Sequence, residues 1–144
     1  MKVKSNRKLL AIDFGYMKVG LAACDLRDGV VFGKGIIKNY GSLEKLFVLI
    51  GELCVKENIT DIVFGLPMGN ASQDTEKSLK LRGIGEKLAD FLKVPVHFFD
   101  ESYSTFNAQK LLNEIPGKSG EAVDDDELAA VVILEGYLAQ MKPL

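Results

Sequence analysis

Short apolar runs separated by glycine and charged residues open the chain. Residues 9–14 and 19–24 each have the length and composition of a buried strand, and the few residues between them suit a hairpin. A third run over 30–37 follows Asp28-Gly29, a dipeptide typical of a two-residue hairpin turn, although two internal glycines weaken the run. The pattern therefore predicts three antiparallel strands at the start of the chain.

Helical and strand patterns alternate over the rest of the chain. Apolar positions after Ser42 repeat at helical spacing, and serine is a favourable N-cap residue. The predicted elements, in order, are a helix capped by Ser42 and ending near Asn58, a strand over 60–64, a helix that begins at Asp74 or Thr75, a strand over 94–99, a short helix over 104–112, a loop over 113–123 and a buried helix over 128–138.

The order of these elements indicates the fold class. A meander of three strands, followed by strands separated by helices, is typical of an α/β protein with a five-stranded mixed sheet and helices on both faces. This is the topology of the RNase H-like fold, and residues 1–144 have the length of a single domain. With 47% hydrophobic residues, the chain can bury a core without disulfides or a structural metal.

Composition and charge narrow the function further. Eighteen Lys and Arg against twenty Asp and Glu leave a net charge of −2, so any contact with nucleic acid must be local. Cys24 and Cys54 lie far apart and His97 is the only histidine, which predicts two buried free thiols rather than a zinc site or a disulfide framework. His97 lies in a strand pattern and is predicted to be a packed or hydrogen-bonded structural residue. The apolar runs are too short for a signal peptide or a membrane span, which predicts a cytoplasmic protein with no membrane partner.

Three separated carboxylates are candidates for chemistry: Asp13 in the first strand, Glu101 just past the fifth strand and Asp126 in the first turn of the last helix. A parallel arrangement of the two strands would bring these side chains together. Carboxylate oxygens suit Mg²⁺, and two such ions can activate a water and stabilise the leaving oxygen of a phosphodiester. We therefore predict that Asp13, Glu101 and Asp126 bind Mg²⁺ or Mn²⁺ and are the catalytic residues of a metal-dependent nuclease.

Each carboxylate also has an explanation that needs no catalysis. Asp13 is surrounded by apolar residues and could form a salt bridge with Lys18 or Arg82, since buried charges are paired or bind metals. Glu101 could be a solvated loop residue. Acids near Asp126 favour a helix N-terminus through capping and the helix dipole, although four consecutive acids repel one another more than one helix end relieves.

Substrate contacts are predicted at Lys18, Gly65 and Arg82. Gly65 opens a glycine- and proline-containing segment at the end of a strand, where backbone amides can cradle a phosphate, unless the segment is a plain turn. Arg82 is the preferred cation of the second helix because a guanidinium can bind phosphate bidentately. The other basic residues of that helix, which also serve simply to solvate a surface, are Lys77, Lys80 and Lys87.

A series of short motifs spans nearly the whole chain. They are Ala11-Ile12-Asp13-Phe14-Gly15, Val19-Gly20-Leu21-Ala22, Gly65-Leu66-Pro67, Asp100-Glu101, and Asp126 before Ala129-Ala130 and Ile133-Leu134. In this order and at these spacings, the motifs resemble those of the YqgF (RuvX) family of pre-16S rRNA nucleases. The resemblance implies an RNase H-like enzyme that processes the 5′ end of the 16S rRNA precursor, is related to Holliday junction resolvases and uses Asp13, Glu101 and Asp126 as its acids.

Two basic positions depart from the family pattern. The chain has Tyr16-Met17-Lys18 where the family usually has Thr-Lys-Arg, and Ser102 where the family has arginine. Two cations that would be expected to bind the substrate are therefore missing from this chain.

Several functions remain open at this point. The substrate is predicted to be precursor ribosomal RNA, with branched DNA and a Holliday junction resolvase-type endonuclease as the alternative. A non-catalytic nucleic-acid-binding module of the same fold is a further possibility. Actin-like ATPases and sugar kinases also share the fold, but they bind nucleotide between two domains and this chain has room for one. The sequence leaves open whether the protein is a monomer or a homodimer.

Overall fold

The computed structural model describes residues 6–38, 41–68, 73–101 and 125–141. The elements within them are β1 (Lys8–Asp13), β2 (Lys18–Asp25), β3 (Val30–Lys38), α1 (Leu43–Glu57), β4 (Asp61–Leu66), α2 (Glu76–Leu92), β5 (Val96–Asp100) and α3 (Asp125–Met141). The short helix predicted over 104–112, the loop predicted over 113–123 and Ser102 lie outside the described residues.

The five strands form one mixed sheet in the order β3-β2-β1-β4-β5. β2 pairs antiparallel with both β1 and β3, whereas β4 pairs parallel with both β1 and β5. The predicted five-stranded mixed sheet with the Asp13 strand at its centre is therefore confirmed. Because β1, β4 and β5 are parallel, their carboxyl ends lie at the same edge of the sheet.

Side chains of β1 alternate between two buried layers. Leu10 and Ile12 belong to the core that α1 and α2 cover, while Leu9 and Ala11 belong to the core under α3. The sheet therefore has helices on both faces, as predicted. The same alternation places the next residue of the second set, Asp13, on the face that α3 covers.

The helix caps follow the sequence signals. The Ser42 hydroxyl accepts a hydrogen bond from the backbone N–H of Lys45 at 3.3 Å. Of the two candidates for the start of α2, Thr75 is the N-cap residue, and its backbone and side chain exchange hydrogen bonds with Ser78. Among the described residues, no helix is long and apolar enough to cross a membrane.

The turn between β2 and β3 is longer than predicted. Strand pairing ends at Asp25 and Val30, so the connection has four residues rather than two. The carbonyl of Asp25 accepts hydrogen bonds from the N–H groups of Asp28 and Gly29, and its carboxylate accepts hydrogen bonds from the backbone N–H and the guanidinium of Arg27. These bonds to Asp25 close a wider turn than the Asp28-Gly29 signal alone indicates.

Asp61 is the centre of a polar network at the amino-terminal end of β4. Its side chain, 11% exposed, accepts hydrogen bonds from Arg7 at 3.1 and 3.2 Å and from the Thr60 hydroxyl at 2.6 Å. Nε2 of His97 lies 2.8 Å from Asp61 Oδ2, and the His97 ring packs against Tyr137. His97 is therefore a hydrogen-bonded structural residue, as predicted.

Cys24 and Cys54 are buried and free, as predicted, and burial is the main cause that raises the pKa of each thiol to about 11.

Asp61→Asn should lower the free energy of unfolding by about 2 to 3 kcal/mol at pH 7, because an amide leaves donors of a buried network without acceptors. Burial alone would raise the pKa of Asp61, but the bonds from Arg7, Thr60 and His97 outweigh it and lower the pKa to about 2. A lowered carboxyl pKa stabilises the fold above about pH 4, and this stabilisation is lost as the pH falls through 2. Urea unfolding should therefore show the gap between wild type and variant closing over that range.

Glu76→Gln is the matched control for this measurement. It makes the same acid-to-amide change at a side chain that is 89% exposed, and it should alter stability by less than about 0.5 kcal/mol. An Asp61→Asn protein as stable as Glu76→Gln at pH 7 would contradict the importance of the Asp61 network.

Candidate active site at the carboxyl edge of the parallel strands

The structure brings Asp13 and Glu101 into direct contact. Asp13 is the last residue of β1 and Glu101 follows the last residue of β5, with β4 between the two strands. The two carboxyl groups are hydrogen-bonded to each other across β4. Two of the three predicted catalytic residues, 88 positions apart in sequence, therefore lie in one half-buried site.

Gly65 makes room for this contact. It lies inside β4, which runs two residues further than predicted because Gly65 and Leu66 pair with β5. A Cβ atom at position 65 would lie 2.5 Å from Oε1 of Glu101 and 2.5 Å from Cδ1 of Ile133. The absence of a side chain therefore lets Glu101 reach across β4. The predicted contact of Gly65 with substrate phosphate stays a prediction, but this structural role is one that the sequence reading missed.

Burial and mutual repulsion keep the two acids from both being ionised. Burial raises the pKa of Asp13, and the charge of Asp126 raises it further, while the hydrogen bond with Glu101 and the charge of Lys77 act in the opposite direction. Burial and Asp13 raise the pKa of Glu101 to about 7, against a smaller lowering by Lys77. In the metal-free protein below pH 7, Glu101 therefore holds a proton and donates it to Asp13 in their hydrogen bond.

Asp126, in the first turn of α3, lies near enough to the pair for its charge to act on Asp13. The backbone carbonyl of Asp126 lies directly against Gly20 of β2, where any Cβ would overlap it. Next to it, the Glu127 carboxylate accepts a hydrogen bond from the backbone N–H of Gly35 at 2.6 Å. Gly35 lies where the pairing of β2 and β3 shifts by one residue, and a bulge of this kind frees backbone groups from the ladder. Glu127 and Gly20 therefore fix the amino-terminal turn of α3, and with it Asp126, against the sheet.

Two of the predicted substrate cations form ion pairs in the structure. Lys18 Nζ lies 3.6 Å from Asp126 Oδ2, and Arg82 binds Asp74 at 3.1 Å. Lys77, in the first turn of α2, is the cation whose charge acts on both buried acids. The sequence-based prediction preferred Arg82 because a guanidinium can bind phosphate bidentately. Lys77 lies on the same helix, and only the docking of α2 distinguishes the positions of the two.

The donor set fits a hard divalent cation in its chemistry. Asp13 and Glu101 offer oxygen ligands only, and Mg²⁺ often binds through one or two carboxylates while it keeps several waters. Within the described part of the chain, no three Asp, Glu, His or Cys side chains converge closely enough to hold a metal ion as they stand. Asp126, which is within electrostatic range of Asp13 but paired with Lys18, would have to turn toward the acid pair to complete a three-carboxylate site.

The family model described as "RuvX: Holliday junction resolvase" matches residues 7–140. The chain belongs to this family. A relative from Malacoplasma penetrans (strain HF-2), named "Putative pre-16S rRNA nuclease", is 35% identical over 95% of this chain and 97% of its own. A relative of the same name from Caldanaerobacter subterraneus subsp. tengcongensis is 32% identical over 94% of this chain and 98% of its own. These matches confirm the resemblance found in the motifs.

Solved structures confirm the fold. The chain is similar to Thermus thermophilus RuvC in complex with a Holliday junction substrate, with a TM-score of 0.64 at 14% identity over 96% of this chain and 99% of that one. At this identity the likeness concerns the fold alone. RuvC has an RNase H-like fold, so the predicted fold class is correct.

Glu127→Ala should lower the free energy of unfolding by about 1 to 2 kcal/mol, because the Gly35 N–H loses a charged acceptor. Glu127→Gln keeps an amide oxygen at the same place and should lose less. The direct measurement is hydrogen exchange of the Gly35 amide, which should speed up in Glu127→Ala and much less in Glu127→Gln. Equal protection of this amide in Glu127→Ala and wild type would contradict the bond.

Asp13→Asn should raise the melting temperature in EDTA at pH 8 by several degrees, since about 1 kcal/mol corresponds to roughly 2–8 °C at this size. A carboxyl pKa raised from 4.5 to about 7 means that Glu101 stabilises the fold fully below pH 4.5 and loses this stabilisation as the pH rises through 7. The variant removes the opposing charge of Asp13 and so lessens the loss. Asp90→Asn, an exposed site on α2, is the matched control, and a lower melting temperature for Asp13→Asn would make Asp13 a structural partner instead.

Proposed function

We propose that the protein is a metal-dependent nuclease that hydrolyses phosphodiester bonds in nucleic acid, with the 16S rRNA precursor as its substrate. The hydrogen-bonded pair of Asp13 and Glu101 carries this proposal, because its two half-buried acids lie at the ends of separate strands and meet at the carboxyl edge of the sheet. Ligand and catalytic sites of open α/β sheets commonly lie at this edge. The names of the family and of its relatives supply the kind of substrate.

We assign metal binding to Asp13, Glu101 and Asp126, with Mg²⁺ or Mn²⁺ as the ion. A bound divalent ion supplies an activated water and stabilises the oxygen that leaves the phosphorus. The chain's own part is to supply oxygen donors from Asp13, Glu101 and Asp126 and to give up the proton that Glu101 and Asp13 share. To become the third ligand, Asp126 would turn from Lys18 toward the acid pair.

Lys77 and Lys18 are the proposed phosphate contacts closest to the acids. Lys77 acts electrostatically on both buried carboxyl groups, and Lys18, 46% exposed, stands beside Asp126. With a net charge of −2 on the whole chain, such local cations must provide the attraction for a polyanion. Arg82 also remains a proposed phosphate contact, although in the structure it binds Asp74 and lies over the ring of Phe98.

Cleavage of branched DNA is the second candidate function, because the family description is that of a Holliday junction resolvase. A non-catalytic binding module is less well supported. A protein that only binds nucleic acid does not require two half-buried acids in contact with each other, and their raised pKa values are typical of a functional site.

The test is a cleavage assay with end-labelled 16S rRNA precursor and a four-way DNA junction, each with Mg²⁺, Mn²⁺ or EDTA. Wild type should cleave one of them only with metal, and Asp13→Asn should cleave more than about 100-fold more slowly, because an amide is a poor ligand for hard cations. Asp90→Asn controls for the amide change and should cleave as wild type does. Undiminished cleavage by Asp13→Asn, or cleavage in EDTA, would remove the acids from the mechanism.

A further inference from the structure

Two large apolar side chains are exposed in the turn between β1 and β2. Tyr16 is 60% exposed and Met17 is 70% exposed, only three and four residues after Asp13. A single exposed apolar residue needs no explanation, but two adjacent ones beside an acid site indicate a contact surface.

The Tyr16 ring packs on the ring of Phe14. The contact is T-shaped, with ring centroids 5.3 Å apart and ring planes at 83°. Phe14 is 9% exposed and its ring in turn stacks on the buried Phe64 at 6.3 Å. The turn itself is tight, because a Cβ at Gly15 would lie 2.6 Å from the carbonyl oxygen of Lys18. A ring supported in this way loses little side-chain entropy when a ligand packs on it.

Cations stand on both sides of the acids near this turn. Lys18 follows Met17 directly, and Lys77 acts on Asp13 and Glu101 from α2. A phosphate held at the acids by these lysines would place an adjoining nucleotide near the turn. Proteins that bind single strands combine basic residues along the backbone with aromatic rings on which the bases stack.

We propose that Tyr16, with Met17 beside it, forms a stacking platform for an unpaired base next to the phosphate that is cleaved. This inference rests on the proposed nuclease function and specifies its substrate as nucleic acid whose bases are exposed at that point. Bases in a continuous duplex are stacked on each other and cannot offer a face to Tyr16, whereas single-stranded or splayed nucleotides can. The sulfur and flexible chain of Met17 can adapt to either a purine or a pyrimidine.

A fluorescent variant tests the contact directly. The chain has no tryptophan, so Tyr16→Trp introduces a single indole at the platform. Titration with a short single-stranded RNA in EDTA, where no cleavage is expected, should quench this fluorescence to saturation. Phe91→Trp is the matched control, since Phe91 is 52% exposed at the far end of α2, about 20 Å along the helix from Lys77. Its fluorescence should change little.

Affinities of the substituted proteins separate stacking from general attraction. Tyr16→Ala should bind single-stranded RNA about 5- to 150-fold more weakly than wild type, and Tyr16→Phe should bind nearly as well as wild type. Affinity for duplex RNA should be the same in all three proteins. The salt dependence of binding should also be the same, because no phosphate contact is lost.

Three results would overturn the proposal in different ways. If wild type binds RNA and Tyr16→Ala binds it equally well, the platform is wrong while the nuclease proposal stands. If Tyr16→Ala loses affinity for single-stranded and duplex RNA alike, Tyr16 does not recognise an exposed base and the platform is again wrong. If wild type binds neither RNA nor DNA, the platform and the proposed function both fail.

Discussion

Asp13 and Glu101 lie against each other in a half-buried site where burial and mutual repulsion both oppose ionisation, and the surrounding structure depends on accommodating them. Parallel pairing of β4 with β1 and β5 puts both residues at one edge of the sheet. Gly65 leaves the space above β4 through which the two side chains meet. Such a pair weakens the metal-free fold at neutral pH, which is a cost that a binding or catalytic role can explain.

The acids at the two ends of the parallel strands have pKa values shifted in opposite directions. At the amino-terminal end of β4, Asp61 receives hydrogen bonds from Arg7, Thr60 and His97, and its pKa falls to about 2. At the carboxyl end, burial and the neighbouring Asp13 raise the pKa of Glu101 to about 7. The Asp61 network therefore stabilises the ionised acid, whereas the surroundings of Glu101 favour its neutral form.

The third acid depends on the packing of a helix rather than on a strand. Asp126 approaches the site because α3 lies directly on Gly20 and because Glu127 binds the Gly35 N–H that a β-bulge exposes. The bulge and the glycine therefore act together in placing the helix. In this position the Asp126 carboxylate lies 3.6 Å from the ammonium group of Lys18.

The sequence by itself determined the described strands and helices and their order, because caps, alternation and helical periodicity depend on near neighbours. It also identified His97 as structural and the family to which the chain belongs. Only the tertiary structure decided which charges meet: Lys18 with Asp126, and Lys77 rather than Arg82 beside the acid pair. Hydrophobic periodicity predicts which face of a helix or strand is buried. It does not predict the register of parallel strands or the position of a helix along the sheet. Those depend on the packing of residues far apart in the chain, and the distances between charges follow from them.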